Sequence, residues 1–386
     1  MLRKKELDFI KEHEQEACDL LLEMARIPAP SGHEERRGAF CREWLEKNGA
    51  KGVYMDEALN VVYPASAGEE KPLAVFAAHT DVVFPDREEL PLTVDGNIIR
   101  CPGAGDDTAC LVALMMAAKY VARGLADGSL RPKETGVLFV CNSCEEGLGN
   151  LKGSREICRR YGERMREFVS FDCHLDQMYN RAVGSQRYRI TIQTQGGHSY
   201  SDFGRPNAIA RLAELIGCLY KIQVPTEGKT TFNVGTISGG TSVNTIAQEA
   251  WMLYEFRSDV RSSLQYMEER FMEIIRQEQK KGDMKLLVET VGIRPCGADV
   301  DEKRQRDLEE RVKRAAAAAA GKEPRASAAS TDCNIPLSMG IPSVCAGTFY
   351  GGGAHTREEF VDSASLPMGV QVAMDLVLEH FERLGD

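Results

Sequence analysis

Five short segments of this chain set acids and histidines where structure alone would not choose them. Ala77-Ala78-His79-Thr80-Asp81 closes an apolar run. His79 and Asp81 stand two apart, so on an extended chain both face one side. A carboxylate beside a ligating imidazole fixes its tautomer and raises its basicity. In Cys101-Pro102-Gly103-Ala104-Gly105-Asp106-Asp107 the glycines let backbone approach closely, and two adjacent acids invite a cation. A helix N-cap with acids in its first turn competes for this segment. A phosphate loop would want Gly-Lys-Ser or Gly-Lys-Thr and no acids. Asn142-Ser143-Cys144-Glu145-Glu146-Gly147 again follows an apolar run, and neighbouring carboxylates there are costly unless a metal or a proton separates their roles. Phe171-Asp172 ends another run in the same manner, and Gly351-Gly352-Gly353-Ala354-His355-Thr356 carries a lone histidine. Such a histidine is ordinarily structural, although imidazole is a frequent metal ligand. Taken together, the segments hold what two cations sharing a carboxylate need: two imidazoles, two outer carboxylates, one bridging carboxylate and a free base.

The elements that must position these residues are legible as runs. Compact apolar stretches at 73–78, 136–141 and 168–171, bounded by turn signals, read as strands buried on both faces. Helical spacing marks 7–26, closed by Pro28 and Pro30, then 34–48 with Ser31 or Gly32 near its start, 108–122 and 154–161. Alternating strands and helices predict an α/β fold, a mostly parallel sheet sandwiched by helices. The pattern then changes. Residues 188–194 alternate as a strand with one wet face, followed by a helix at 207–219, strands at 231–237 and 250–258, a helix at 264–281 and a strand at 285–290. That β-α-β-β-α-β order predicts an inserted ferredoxin-like α+β lid domain over 184–294, within a discontinuous catalytic domain of 1–183 and 295–386. Residues 301–321 form a helix with six consecutive alanines, ended by Gly321 and Pro324.

Bulk properties exclude other classes. At 386 residues the chain exceeds what one core serves, and 43% hydrophobic with 27% charged residues is ordinary for a globular protein. Residues 1–14 are charged throughout and lack a signal peptide's apolar run, and no apolar stretch approaches the ~18 residues that span a bilayer. We therefore expect a cytoplasmic protein without membrane contact. The twelve cysteines, among them Cys18, Cys41, Cys110, Cys158 and Cys218, read as small buried hydrophobes of a reducing compartment. Cys141 and Cys144 form the one C-x-x-C and lack the second pair that a zinc knuckle needs. A net charge of −10 argues against nucleic acid.

These motifs resemble the co-catalytic zinc peptidases that include peptidase T, bacterial glutamate carboxypeptidases, aminoacylase and succinyl-diaminopimelate desuccinylase. The resemblance covers nearly the whole chain. His79-Thr80-Asp81 matches the family's His-x-Asp, Gly105-Asp106-Asp107 its bridging aspartate segment and Glu145-Glu146 its paired glutamates. Asp172 and His355 match the remaining ligands, and His355-Thr356 runs into Glu358-Glu359-Phe360-Val361-Asp362 as in family members. In the lid, Gly197-His198-Ser199 with Gly204-Arg205-Pro206-Asn207-Ala208 resembles the dimerisation motif, and Asn233-x-Gly235-x-Ile237-x-Gly239-Gly240 leads to Asn244 and then Arg257. One departure stands out: many members follow the paired aspartates with lysine, a small residue and glycine, where this chain has Thr108, Ala109 and Cys110.

The resemblance implies two zinc ions per subunit, replaceable by cobalt or manganese. One would be held by His79, Asp106 and Asp172, the other by Asp106, Glu146 and His355. It implies Glu145 as general base, Asp81 as the group orienting His79, and His198 as a donor to the developing oxyanion from the partner subunit of a homodimer. Arg257 and Asn244 would hold a substrate carboxylate. An aspartate at the Asp172 position goes with aminopeptidases and dipeptidases, so small peptides are the expected substrates. N-acyl amino acids are the alternative on the same site. A non-catalytic binding protein on this fold would have lost ligands or base, and all six positions are present.

Overall fold

The apolar runs lie at the centre of a sheet. In a computed structural model, which describes residues 1–68 and 70–384, eight strands among the described residues pair in one sheet. Their order is Tyr54–Met55, Val61–Tyr63, Gly136–Asn142, Leu73–His79, Met165–Phe171, Ser343–Ala346, Gln177–Ala182, Arg325–Ala329. Gly136–Asn142, Leu73–His79, Met165–Phe171 and Ser343–Ala346 run parallel, as do the last two strands to each other. Leu73–His79 and Gly136–Asn142 are buried at every position, as strands covered on both faces must be. Ala74, Phe76 and Ala78 pack in the cluster of the helices Cys110–Asp127 and Leu366–Leu378, whereas Val75 and Ala77 pack with Leu151, Ile157 and Ile335. The sheet is thus the middle of three layers.

The chain divides into two units, Met1–Ala182 with Ala298–Asp386, and Val183–Gly297. In the second, Gly184–Gln193, Thr230–Gly239, Glu249–Ser258 and Lys285–Arg294 pair antiparallel, in ferredoxin-like order, and carry the helices Ala208–Leu219 and Arg261–Gln279. Tyr188, Ile190, Met252, Tyr254 and Phe256 pack under those helices against Leu212, Leu215, Met267 and Phe271. Arg187, Glu255 and Arg257 alternate onto the opposite face.

Several elements differ from the sequence expectation. The helix expected at 7–26 is two, Lys4–Glu12 and Glu14–Arg26, broken at His13, whose ring Nδ1 meets the Phe9 carbonyl at 2.8 Å. The helix after the paired aspartates starts later, at Cys110, because Ala104–Ala109 forms a wide turn. Ala104–Asp127 is long and apolar enough to cross a membrane, contrary to expectation, yet 78% of its apolar window is buried inside the protein as core. Neither Ser31 nor Gly32 caps the helix Glu35–Lys47; its N-cap is Glu34. The alanine-rich helix Glu302–Ala320 begins at Asp301, whose side chain accepts the Lys303 and Arg304 amides, and ends at Gly321 in the left-handed conformation.

Candidate metal centre

His79 is the last residue of its strand, at the carboxyl edge where open α/β sheets place their sites. Its backbone N–H donates to Asp107 Oδ2 at 2.8 Å. Its ring Nδ1 lies 3.0 Å from the Asp81 carbonyl and 3.4 Å from Asp81 Oδ1. A carbonyl only accepts, so Nδ1 carries the proton and the Nε2 lone pair is turned to Asp106, whose Oδ1 is 3.1 Å away. Asp81 is fully buried. It accepts the Glu145 and Glu146 amides at 2.9 Å each and the Ser31 hydroxyl at 2.6 Å. Burial opposes its charge, but the bonds from His79, Ser31 and these amides hold its pKa below the ordinary carboxylate value.

Asp106 sits in the turn before the long core helix. Its Oδ1 faces His79, and its Oδ2 lies 3.1 Å from His355 Nε2. The same His355 nitrogen is 3.1 Å from Glu146 Oε1. Glu145 and Glu146 are both buried, and Asp172 follows the strand Met165–Phe171 directly. Ligand atoms of His79, Asp106 and Glu146 come within 4.8 Å of one another, as do those of His79, Asp107 and Asp172. The structure therefore brings together His79, Asp81, Asp106, Glu145, Glu146, Asp172 and His355.

So many acids in one place distort one another's ionisation. Burial, then the Asp106 charge, pushes Asp172 well up, and burial raises Glu146 to about 7. Hydrogen bonds to Asp106 and Glu146 lift His355 to about 10. Asp106 goes the other way: burial opposes its charge, but the two imidazoles hold it below the usual carboxylate range. The cluster demands positive charge. Asp107 Oδ1 is also buried and accepts no hydrogen bond, an orphaned acceptor that a cation would satisfy. Imidazole nitrogen with carboxylate oxygen suits zinc.

The other three candidate residues belong to the second unit. His198 Nδ1 accepts the Tyr200 and Ser201 amides at 3.2 and 3.3 Å, which leaves the proton on Nε2 and makes the exposed ring edge a donor. Asn244 is exposed and takes the Ser242 hydroxyl at 2.8 Å. Arg257 already holds Glu255 with two nitrogens, at 2.9 and 3.1 Å.

Several buried groups around the centre went unread in the sequence. Arg37 is fully buried and donates to the Ile27 and Thr80 carbonyls and to Thr108 Oγ1. Thr108 donates in turn to the Gly103 carbonyl, so the departure at that position ties down the aspartate turn. Glu34 accepts the Cys144 amide at 2.9 Å. Asp332, raised to about 7 by burial, accepts from Asn142 and Ser154. Glu359 accepts amides of the aspartate turn. Of these, Glu359 stood in a motif and Thr108 beside one; Arg37 and Asp332 act across long sequence separations.

Fold and donor set place the chain among the α/β proteins that gather carboxylates and imidazoles at the carboxyl edge of a mostly parallel sheet. Residues 75–379 match the Peptidase family M20/M25/M40, and the chain belongs to that family. It is 28% identical over 232 residues to a succinyl-diaminopimelate desuccinylase of Nitrosococcus oceani, a match covering 55% of this chain and only 60% of that relative. A tripeptidase structure from Staphylococcus aureus superposes with a TM-score of 0.74 at 21% identity, covering 94% of this chain and 97% of the other. A dinuclear metal-binding M20 peptidase from Bacillus subtilis gives 0.66 at 16% identity, with 96% and 99% covered.

Proposed function

We propose that the protein is a two-zinc amidohydrolase that cleaves small peptides, di- or tripeptides read from a free amino terminus. The observation that carries this reading is the Asp106 carboxylate, which shows one oxygen to His79 and the other to His355, with Glu146 beside it and Glu145 adjacent. His79, Asp106 and Asp172 would hold one zinc, and Asp106, Glu146 and His355 the second. When bound, the cations would supply Lewis acidity that makes the attacking water a stronger acid. Glu145 takes that water's proton and returns it to the leaving amine as the amide bond breaks. Asp81 keeps His79 in the tautomer that presents Nε2. The Nε2–H of His198 donates to the carbonyl oxygen as it gains charge, from the partner subunit of a homodimer. Arg257, held by Glu255, offers its remaining N–H groups to a substrate carboxylate, together with Asn244. The twelve cysteines, none in a disulfide, support a cytoplasmic setting.

A second reading has its own support. The desuccinylase relative removes an acyl group by its name, which favours an N-acyl amino acid deacylase on the same residues. Mass-spectrometric turnover of one pool of dipeptides, tripeptides and N-acyl amino acids, with and without chelator, separates the two. Chelator-sensitive loss of the peptides supports the first reading, and loss of only the acylated compounds replaces it with the second. No cleavage with added zinc, cobalt or manganese sinks both.

A further inference from the structure

The aspartate turn and the His355 loop lie about 250 residues apart in the chain, yet both must present side chains to one cation. Glu359 joins them. Its Oε2 accepts the Gly103 amide at 2.8 Å, and its Oε1 accepts the Gly105 and Asp106 amides, each at 2.8 Å. Its carbonyl accepts the Cys101 amide, and the next residues pair with Ile98–Arg100 as an antiparallel ladder. Glu359 is buried. The turn is shaped around it: a Cβ on Gly105 would come within 3.1 Å of Glu359 Oε1 and 2.7 Å of the Phe349 ring.

We infer that Glu359 is the positioning residue of the His355 cation site, setting Asp106 against His355 from behind the turn. The inference rests on the two-cation reading above and adds an asymmetry to it. His79 ends a fully buried strand and Asp172 directly follows another, so the sheet itself holds two of the three ligands of their site. The other site draws all three of its ligands, Asp106, Glu146 and His355, from outside the strands, and His355 lies four residues from Glu359 in a left-handed backbone conformation. Without the Glu359 carboxylate, the Gly103, Gly105 and Asp106 amides lose their acceptor and the two loops lose their clasp. The loop-built site then weakens far more than the strand-built one.

The test titrates metal-free full-length protein with cobalt(II), read by calorimetry and by visible absorption. Wild type takes two equivalents, and His355→Ala identifies the one that depends on His355. In Glu359→Gln that same equivalent weakens by roughly 10–100-fold, the usual loss when a group behind a ligand is removed, while the other stays within about threefold. Glu358→Gln, its exposed neighbour, binds like wild type. Should the glutamine variant fail to fold, Glu359→Asp, which withdraws the carboxylate by one methylene, must show the same asymmetry. Native affinity at both sites in the variant, or equal weakening of both, overturns the inference. A wild type that takes fewer than two equivalents instead sinks the two-cation reading, and the inference falls with it.

Discussion

Asp81 Oδ1 accepts the backbone N–H of Glu145 at 2.9 Å. The carboxylate that faces the His79 ring therefore also anchors the loop that carries Glu145, the proposed base. Asp81→Asn replaces one acceptor oxygen by a donor that faces amides and a hydroxyl. We expect cation affinity to fall roughly 10–100-fold, measured by calorimetric titration of the metal-free variant. Native affinity would show that His79 is held by its strand alone.

Glu145→Gln keeps the shape of the side chain and removes the carboxylate proposed as proton acceptor. Turnover should drop by roughly 10²–10⁴-fold, while bound metal, counted by elemental analysis, stays at the wild-type number. Near-normal turnover would remove Glu145 from the mechanism.

The strand ends were legible because strands buried on both faces read as unbroken apolar runs, and whatever polar residue follows such a run stands out, as His79 and Asp172 do. His13 was not legible as a helix break: the spacing of apolar residues continues through it, and only its ring contact with Phe9 reveals the interruption. Ser31 stands near the start of the 34–48 helix in the sequence, yet its hydroxyl is spent on Asp81, 50 residues away. Arg37 and Asp332 left no local signal, since each satisfies partners distant in sequence, and Glu34 joins the distant Cys144 amide to the nearby Gly32 amide. The Glu255 to Arg257 pair did have one, being two apart on one face of a strand.

Gly105→Ala tests how closely the aspartate turn is packed. Its methyl would press on Phe349 and Glu359 at 2.7 and 3.1 Å, so a loss of about 1–3 kcal/mol is expected in urea denaturation. An unchanged midpoint would mean the turn has room.

Far from the centre, Glu167 bonds His380 at 3.0 Å and Arg311 at 2.6 Å. Burial alone would raise its pKa, but these partners hold it at about 2. A folded value below the unfolded one, about 4.3, stabilises above that pH and loses the effect as pH falls toward 2. Denaturation of wild type against Glu167→Gln should show a gap of about 2–3 kcal/mol near neutrality that closes in acid. A gap independent of pH would contradict this.

The parallel register of Gly136–Asn142, Leu73–His79 and Met165–Phe171 has one more consequence. Neighbouring strands sit about 4.8 Å apart, a spacing set by peptide hydrogen bonds and not by side-chain choice. The sheet is therefore a ruler, and His79 and Asp172 are marks on it. Cations of different ionic radius cannot stretch that ruler. Exchanging a small cation for a larger one would then be taken up by the turn of Asp106, the loop of Glu146 and the glycine loop of His355, the parts of the centre outside that sheet.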